Sequence, residues 1–345
     1  MTPAVGARAG VPSPVRIDRV RVPFRRPFAT AAGVWAARES WIVRVRGAGG
    51  VGAAEVPYDG RERPPTTLAA ALADPRVARA AEDAEALSSR GGNGPAEAGV
   101  NATLEAASLD ELVAGARQAV SAGFRTLKLK VGTERSAAEL AERVSTLRAA
   151  VGGVVRLRLD ANGAWERHVA IERLASVVAF DIELVEQPIP PGDPAELAAV
   201  RARSGVPIAA DEAVTSVAAA EALLLASAVD ALVVKPGRVG GLAAARRIGE
   251  LAYSAGIPVV LSTLFETGIG VAGALGVAGR LASILPPGVA ALDHGLATLG
   301  LLEDDLLGEP VRVEAGRARL RALLPDDAAI ERYGIAAPLT DGWDA

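Results

Sequence analysis

The stretch Thr126-Leu-Lys-Leu-Lys-Val131 alternates apolar and basic residues with a period of two. In a β-strand, successive side chains point to opposite faces, so Lys128 and Lys130 share one face and the apolar residues share the other. Alone, such a pattern is typical of an edge strand with a solvated basic face. The next strand-like stretch, residues 155–161, repeats the alternation with charged residues on one face. In a barrel, where the apolar face packs against helices, both sets of charges would point inward.

From Val100 onward, short apolar strands alternate with Ala- and Leu-rich helices, which is typical of βα units and a parallel sheet. We predict eight strands: Val100–Leu104, Thr126–Val131, Val155–Ala161, Asp181–Glu186, Pro207–Asp211, Ala231–Lys235, Pro258–Ser262 and Ala290–His294. Eight such units close into a barrel whose active site lies at the C-terminal ends of the strands. A doubly wound open sheet is the alternative, but no G-x-G-x-x-G follows the first strand and no P-loop motif is present.

Local signals mark several further elements. Ser108-Leu-Asp-Glu111 is a capping box that predicts the start of a helix, and Gly123 lies where that helix should end. In the N-terminal part, Ser40–Arg46 alternates like a half-buried strand. The pattern of Leu68–Leu87 is helical, although Pro75 must break or kink it.

A Gly-rich loop, Gly91-Gly-Asn-Gly-Pro95, is typical of a domain boundary. We therefore divide the chain into an N-terminal domain, residues 1–98, a catalytic barrel, residues 99–302, and a C-terminal segment, residues 303–345. The Ala-, Gly- and Pro-rich first 13 residues are expected to be disordered. The tail contains a strand-like piece, Val311–Glu314, and we expect it to pack back on the N-terminal domain.

Composition excludes several classes of site. The net charge is −4 without a basic block, which argues against nucleic acid or an acidic membrane surface as a partner. There is no cysteine, so disulfides, thiolate nucleophiles and Cys-based metal sites are all excluded. Aromatic residues make up only 3%, so the core must rest on Ala, Val and Leu. No long apolar run and no signal-peptide pattern is present, and we expect a cytoplasmic enzyme.

Charged residues end four successive predicted strands: Asp160, Glu186, Asp211 and Lys235. Their spacings are 26, 25 and 24 residues, each the length of one βα unit. The four groups should therefore converge at one mouth of the barrel. Three carboxylates brought together raise each other's pKa unless a counter-charge is present. Because oxygen ligands suit a hard cation, the series predicts a Mg²⁺ site.

The ordered set of motifs resembles the enolase superfamily, and within it the muconate-lactonizing-enzyme-like group. The resemblance is carried by Lys128-Leu-Lys130, Asp160-Ala-Asn162, Glu186-Gln-Pro188, Asp211-Glu212 and Lys235, and it covers nearly the whole chain. It implies an α/β fold: a (β/α)7β TIM-like barrel with an α+β N-terminal capping domain that the C-terminal tail completes.

The resemblance also implies three ligands for Mg²⁺, with Mn²⁺ as a substitute: Asp160, Glu186 and Asp211. Lys130 and Lys235 would lie on opposite faces of the substrate, with Lys128 in support of Lys130. A proton beside a carboxylate is very weakly acidic, so the enzyme must stabilise a doubly negative enediolate. A bound Mg²⁺ does this as a Lewis acid.

Other residues receive less specific roles. Arg158 either binds a substrate carboxylate or pairs with a ligand acid. Ser262 and Gly268 lie where the family contacts its substrate, and Asn162 lies beside the first ligand acid. Glu212 either supports the site or is a surface acid, since adjacent strand residues face opposite ways.

Two features outside the strand ends complete the set. The segment Pro27–Gly33 resembles the mobile lid loop of the family's capping domain, which would exclude water and set specificity. His168 and His294 are not spaced like a ligand pair, so we assign neither a role.

The group includes o-succinylbenzoate synthases, N-succinylamino acid racemases, dipeptide epimerases and muconate cycloisomerases. Four stretches are most similar to o-succinylbenzoate synthases: residues 100–104, 123–132, 262–270 and 294–298. Dipeptide epimerases carry Asp-x-Asp on the last barrel strand, whereas Leu292-Asp-His-Gly295 has one Asp. The resemblance implies the syn dehydration of a succinyl-hydroxycyclohexadiene-carboxylate in menaquinone biosynthesis. Racemase, epimerase and cycloisomerase activities are the alternatives.

Two other classes are less consistent with these residues. A non-catalytic barrel that binds a metal and an acidic metabolite would not need a base such as Lys130 or Lys235. An aldolase-like barrel with a Schiff-base lysine would not need three carboxylates at successive strand ends. The expected partner is a small-molecule carboxylate, and a homo-oligomer stays open.

Overall fold

The computed structural model describes residues 14–30, 33–58, 64–89 and 96–343. The predicted disordered N-terminus, the predicted boundary loop at residues 91–95 and residues 31 and 32 of the predicted lid lie outside this range. None of the helices in the described part of the chain is long and apolar enough to cross a membrane.

Fourteen strands are formed by the described residues: β1 (Val15–Thr30), β2 (Gly33–Gly47), β3 (Gly50–Pro57), β4 (Ala96–Gly99), β5 (Ala102–Leu104), β6 (Thr126–Lys130), β7 (Arg156–Asp160), β8 (Ile182–Glu186), β9 (Ile208–Ala210), β10 (Ala231–Val234), β11 (Val259–Leu261), β12 (Arg312–Glu314), β13 (Arg317–Leu320) and β14 (Leu339–Asp341). The α-helices in the same ranges are α1 (Leu68–Ala73), α2 (Pro75–Ser89), α3 (Leu109–Ser121), α4 (Ala137–Val151), α5 (Arg167–Ala175), α6 (Pro194–Ser204), α7 (Val217–Leu225), α8 (Pro236–Val239), α9 (Leu242–Ser254), α10 (Gly268–Ala282) and α11 (Asp327–Arg332).

The N-terminal part is an antiparallel sheet in the order β14-β1-β2-β3, with α1 and α2 beside it. Its core includes the inward residues of the alternating strands, such as Ile17, Trp41 and Val43. The predicted break at Pro75 is confirmed, because α1 ends at Ala73 and α2 begins at the proline. Proline is well suited to the first turn of a helix, where its missing N–H has no partner to lose.

Seven parallel strands, β5 to β11, form one curled sheet in sequence order, as expected for a barrel of βα units. The prediction of an eighth strand at Ala290–His294 is wrong, because no regular strand forms there. Instead, His294 and the next residue, Gly295, each make one isolated parallel bridge, to Val100 and to Ser262. The bridges join the two edge strands of the sheet, so backbone hydrogen bonds at only two positions close the barrel.

The predicted alternation in β6 is confirmed by its packing. Leu127 and Leu129 belong to the large core between the sheet and the helices, whereas Lys128 reaches acidic groups of neighbouring strands. A separate small cluster of apolar residues packs together on other strands of the barrel: Leu184, Ala209, Ala231, Val233 and Val260, with Leu292 against them.

The C-terminal segment contacts both earlier parts of the chain. Strand β14 pairs with β1, and buried Arg44 of β2 bonds Asp18 at 2.6 Å and also Asp327 of α11. The predicted strand Val311–Glu314 is present as β12, but its sheet is β12-β13-β4, not the N-terminal sheet. The division into three segments at residues 98 and 302 stays a prediction.

Candidate active site

Three adjacent strands carry the predicted site residues at matching levels. Lys130 on β6 is the register partner of Asp160 on β7, and Asp160 is the partner of Glu186 on β8. Glu186 in turn pairs with Ala209, two residues before Asp211. Because all these residues end their strands, their side chains meet at the C-terminal edge of the sheet, where barrel enzymes place their active sites.

The carboxylates and lysines form one buried ionic cluster. The Nζ atom of Lys128 lies 2.9 Å from Asp160 Oδ2 and 2.9 Å from Glu186 Oε2. Lys130 Nζ lies 2.8 Å from the same oxygen of Asp160. Each of the two acids is only 1% exposed, so these contacts are formed away from bulk water, where charge–charge interactions are strong.

A second pair of cations holds the third acid. Lys235 Nζ lies 2.6 Å from Asp211 Oδ2, and Arg238 Nη1 lies 2.7 Å from Asp211 Oδ1. The same guanidinium donates to the Asp211 carbonyl at 3.0 Å. Lys130 and Lys235 are therefore attached to different acids of the cluster. Arg238 was not predicted, because it lies beyond the end of the strand, on the short helix α8.

Burial and the neighbouring cations shift the pKa values of the three acids in opposite directions. Burial alone would raise the pKa of Asp160, but the charges of Lys128 and Lys130 outweigh burial and hold the pKa below its ordinary value. Burial would likewise raise the pKa of Asp211, and Lys235 and Arg238 lower it. Glu186 has a raised pKa because burial exceeds the effect of Lys128.

Lys128 itself has a raised pKa, since the attraction of Asp160 and Glu186 exceeds the cost of burying its charge. A lysine held in this way stays an ammonium group at physiological pH. Its position therefore suits a structural and electrostatic role, whereas Lys130, which is more exposed, is better placed to reach a substrate.

The donor chemistry of the cluster fits a hard divalent cation. Asp160, Glu186 and Asp211 offer only carboxylate oxygens, the ligands that Mg²⁺ prefers. Among the residues that the structure describes, no three such side chains stand in the arrangement of a closed metal site. The lysine ammonium groups contact one oxygen each of Asp160 and Glu186, Oδ2 and Oε2, so the second carboxylate oxygen of both acids has no lysine partner in the described part of the chain.

Asn162 and Glu212 extend the cluster on one side. Lys130 Nζ donates to Asn162 Oδ1 at 2.7 Å, and Asn162 Nδ2 donates to Glu212 Oε1 at 2.9 Å. Asn162 has a left-handed backbone with φ of 46°, which asparagine tolerates better than most residues. Of the two interpretations of Glu212, the contact favours support of the site over a free surface acid.

Gln187 was predicted only as the middle residue of the motif Glu186-Gln-Pro188, without a role of its own. Its Oε1 accepts from the backbone N–H of Asp211 at 3.0 Å and of Ala213 at 3.1 Å. Its Nε2 donates to the carbonyl of Ile189 at 2.8 Å. The amide therefore fixes the backbone that carries the third acid.

Arg158 does not pair with a predicted ligand acid. Its Nε donates to Glu183 Oε2 at 2.5 Å, and its Nη1 donates to the carbonyl of Asp293 at 2.7 Å. The side chain is fully buried. The reason is that Glu183, three residues before Glu186 on β8, and the carbonyl of Asp293 bind its guanidinium group. The predicted ion pair between Arg158 and a ligand acid is therefore wrong, because the acid that Arg158 contacts is Glu183.

The predicted substrate contacts Ser262 and Gly268 are not joined to the ionic cluster by any hydrogen bond or ion pair within the described residues. Ser262 Oγ donates to the carbonyl of Gly295 at 3.3 Å, and the N–H of Gly268 donates to the carbonyl of Asp305 at 2.8 Å. Their role toward a substrate stays a prediction.

Asp293 lies at the opposite end of the barrel strands from Lys130. Its Oδ2 accepts from Arg156 Nη2 at 2.5 Å and from Thr126 Oγ1 at 2.7 Å. Thr126 and Arg156 are the first residues of β6 and β7, whereas Lys130 and Asp160 are the last. The two ends of each strand are about 13 Å apart. Asp293 is therefore committed to a structural ion pair below the site.

Within the described ranges, neither histidine has a hydrogen bond or ion pair with the ionic cluster. Half-buried His294 accepts from the N–H of Leu261 through Nδ1 at 3.1 Å, and desolvation of its ring, followed by the charge of Arg158, lowers its pKa to about 4. It is neutral at physiological pH. His168 is exposed and lies 3.6 Å from Glu166.

The distribution of basic residues gives a further signal. The chain contains 37 lysines and arginines, and only three of them are lysines: Lys128, Lys130 and Lys235. All three belong to the ionic cluster. Arginine serves every other cationic position, whereas lysine is the residue whose amine can act as a base. The sequence alone contains this signal, and it singles out the site without any strand prediction.

Comparisons with known proteins agree with this geometry. Residues 111–326, more than half of the chain, match the family model described as enolase C-terminal domain-like. The o-succinylbenzoate synthase of Thermobifida fusca is 39% identical over 249 residues, which are 69% of this chain and 74% of that protein. The L-Ala-D/L-Glu epimerase of Bacillus subtilis is 32% identical over 174 residues, 50% of this chain and 47% of that protein.

The same fold is present in a solved structure. Muconate lactonizing enzyme from Pseudomonas fluorescens, complexed with muconolactone, superposes with a TM-score of 0.77 at 23% identity, covering 95% of this chain and 100% of that one. This likeness supports the predicted TIM-like barrel with its N-terminal antiparallel sheet. By its family match, its relatives and its fold, this chain is a lyase-type enzyme and a member of the enolase superfamily.

Proposed function

We propose that this chain is a metal-dependent o-succinylbenzoate synthase of menaquinone biosynthesis. It would dehydrate 2-succinyl-6-hydroxy-2,4-cyclohexadiene-1-carboxylate through an enediolate intermediate. The observation that carries the proposal is the attachment of Lys130 and Lys235 to different acids of one buried carboxylate cluster. A relative of that name, 39% identical, supports the choice of reaction.

Asp160, Glu186 and Asp211 would hold Mg²⁺, or Mn²⁺ as a substitute. When bound, the cation supplies positive charge that stabilises the enediolate oxygens. In the proposed reaction, Lys130 takes the proton beside the substrate carboxylate. The resulting ammonium group then protonates the departing hydroxyl, so that proton and water leave from the same face.

The other cations keep their protons. Lys235 stays an ammonium group and stabilises the developing negative charge from the side of Asp211. Lys128 stays charged between Asp160 and Glu186, and it keeps these acids in place. Loss of water converts the hydroxycyclohexadiene ring into an aromatic ring, which makes the dehydration strongly favourable.

The position of Asp293 favours the synthase over a dipeptide epimerase. An epimerase of this group needs acids on the last strand to bind the amine of its substrate. The only acid of that segment, Asp293, is paired with Arg156 at the far end of the barrel. N-succinylamino acid racemase is the second candidate, because its substrate carries no free amine and its chemistry uses the same two lysines.

The proposed partner is a small-molecule carboxylate, and the proposed location is the cytoplasm. The proposal includes neither a nucleic acid nor a membrane as a partner. It is compatible with a monomer and with a homo-oligomer.

Two assays with Mg²⁺ test the proposal and separate the candidates. Turnover is followed by the loss of the cyclohexadiene's ultraviolet absorbance, and racemase action by exchange of the α-proton of N-succinyl amino acids in D₂O. The variant Lys235→Arg keeps a cation that cannot act as a base, so it should retain part of the synthase activity and lose any racemase activity. No turnover of the cyclohexadiene by the wild type, with α-proton exchange present, would replace the synthase with the racemase.

A further inference from the structure

Helix α9 begins without a capping side chain of its own. Its N-cap is Gly241, which has no side-chain oxygen for the first free N–H groups of the helix. The acceptor comes from the N-terminal part of the chain. Asp83 of α2 accepts from the N–H of Leu242 through Oδ2 at 2.7 Å and from that of Ala243 through Oδ1 at 3.3 Å.

The turn before α9 is shaped for this approach. Gly240 and Gly241 have φ of 102° and 104°, values that favour glycine. A Cβ atom at Gly241 would lie 2.6 Å from Asp83 Oδ2, and one at Gly240 would lie 2.9 Å from Arg79 Nη1. Two neighbouring glycines therefore allow α2 to lie directly against the turn.

The same turn is tied to the proposed catalytic lysine. Only the four-residue helix α8 separates Lys235 from Gly240. The N–H groups of Arg238 and Val239 donate to the carbonyl of Lys235 at 2.9 and 3.1 Å, and the N–H of Gly241 donates to that of Pro236 at 2.9 Å. A displacement of Gly241 would thus move the backbone that carries both cations of Asp211.

Packing around the turn leaves room for such a displacement. A cavity of about 450 Å³ lies between α2, β3 and the α8–α9 region, with Pro57, Asp83, Gly237 and Leu242 among its lining residues. On its other side, Glu55 of β3 holds the start of α10, accepting from Thr267 Oγ1 at 2.6 Å. The turn thus lies at the edge of a cavity, and the two hydrogen bonds from Asp83 hold it there.

We propose that Asp83 is a positioning residue for Lys235. By capping α9 across the interface, its carboxylate fixes the turn through which Lys235 and Arg238 are held on Asp211. The role of Lys235 in this inference rests on the proposed function. Asp83 touches no reacting atom, and its effect reaches the site through the backbone of α8.

Three variants test the inference: Asp83→Ala removes both acceptors, Asp83→Asn keeps one, and Glu85→Gln alters an exposed acid of the same helix as a matched control. We expect Asp83→Ala to lower kcat by about 10-fold or more with KM changed less than two-fold, since small misplacements of a catalytic group are costly. Asp83→Asn should recover most of kcat. Unchanged kcat in Asp83→Ala, with only a lower Tm, would overturn the inference.

A second readout does not depend on activity. Because the chain has only three lysines, ¹³Cε-lysine labelling gives three side-chain resonances, and Lys235→Arg assigns one of them. Asp83→Ala should shift the Lys235 resonance and speed amide hydrogen exchange at residues 238–243, whereas Glu85→Gln should change neither. If the wild type fails to turn over the cyclohexadiene but the resonance shifts, the proposed function fails and the positioning role stands. An unmoved resonance would overturn the positioning role.

Discussion

The three lysines of this chain share one cluster but contact different acids. Lys128 lies between Asp160 and Glu186, whereas Lys130 contacts Asp160 and Lys235 contacts Asp211. Arginine fills every other cationic position of the sequence. A guanidinium group keeps its proton at all physiological pH values, whereas a lysine amine can lose its proton and act as a base.

Lys128 should remain charged far into the alkaline range. Its pKa is raised above the ordinary 10.5 because Asp160 and Glu186 attract the ammonium group more than burial disfavours it. In metal-free protein labelled with ¹³Cε-lysine, the Lys128 resonance should not titrate at or below pH 10.5. Lys128→Arg assigns it by its disappearance. A Lys128 resonance that titrates below that pH would show that the buried contacts are not formed.

Spacing was enough to predict that Asp160, Glu186 and Asp211 lie at one edge of the sheet, because one βα unit returns the chain to the same edge. Arg238 and Gln187 could not be found in the same way. Arg238 lies on a helical turn after the strand, and Gln187 depends on a left-handed backbone, with φ of 37°, that turns its amide toward the next strand. Local periodicity does not encode either geometry.

Among the elements, strand faces were the most predictable feature. The period of two in β6 placed Leu127 in the core and Lys128 among the acids, as the structure has them. The capping box was predictable for the same local reason, and Ser108 Oγ accepts from the N–H of Glu111 at 3.2 Å. The sequence pattern predicted an eighth strand, but only two isolated bridges form at His294 and Gly295, and these depend on both edges of the finished sheet.

Helix starts show a second limit of local reasoning. The caps of α3, α4 and α7 are serines directly before each helix, and they can be read from the sequence. The cap of α9 is Asp83, which is 159 residues away from Leu242. Such a cap forms only after the N-terminal part has docked on the barrel.

For the whole molecule, the composition correctly indicated a core of small aliphatic residues with few aromatics. It could not indicate how the N-terminal sheet and the barrel are joined. Glu55 accepts from Ser40 Oγ at 2.6 Å within its own sheet and from the N–H groups of Thr267 and Gly270 in the barrel. A half-buried acid shared by two parts of the chain has no signature in the sequence.

The same interface makes stability depend on pH. Glu266 is buried, and burial, followed by the charge of Glu55, raises its pKa from 4.5 to about 7. The folded state therefore holds this proton more tightly than the unfolded chain, and the free energy of unfolding should fall as pH rises from about 4.5 to about 7. Asp83, whose pKa burial raises to about 6, adds a smaller term of the same sign.

Glu266→Gln mimics the protonated acid and should remove most of this dependence. Between pH 5 and pH 8, the wild type should lose up to about 3 kcal/mol more unfolding free energy than the variant, measured by urea denaturation. Glu85→Gln, an exposed acid, should behave like the wild type. Equal pH dependence in Glu266→Gln and the wild type would show that Glu266 is not buried as an acid.

Lys130 is the proposed base of a proton-abstracting lyase, and turnover by Lys130→Arg tests this role. Arginine keeps the positive charge beside Asp160 but cannot accept the proton, so the fold and the cluster should survive while the chemistry does not. With the cyclohexadiene substrate and saturating Mg²⁺, kcat should fall by about 10²–10⁴-fold at an unchanged Tm. A kcat within a few-fold of the wild type would contradict the claim, because a charge alone would then be enough for the reaction.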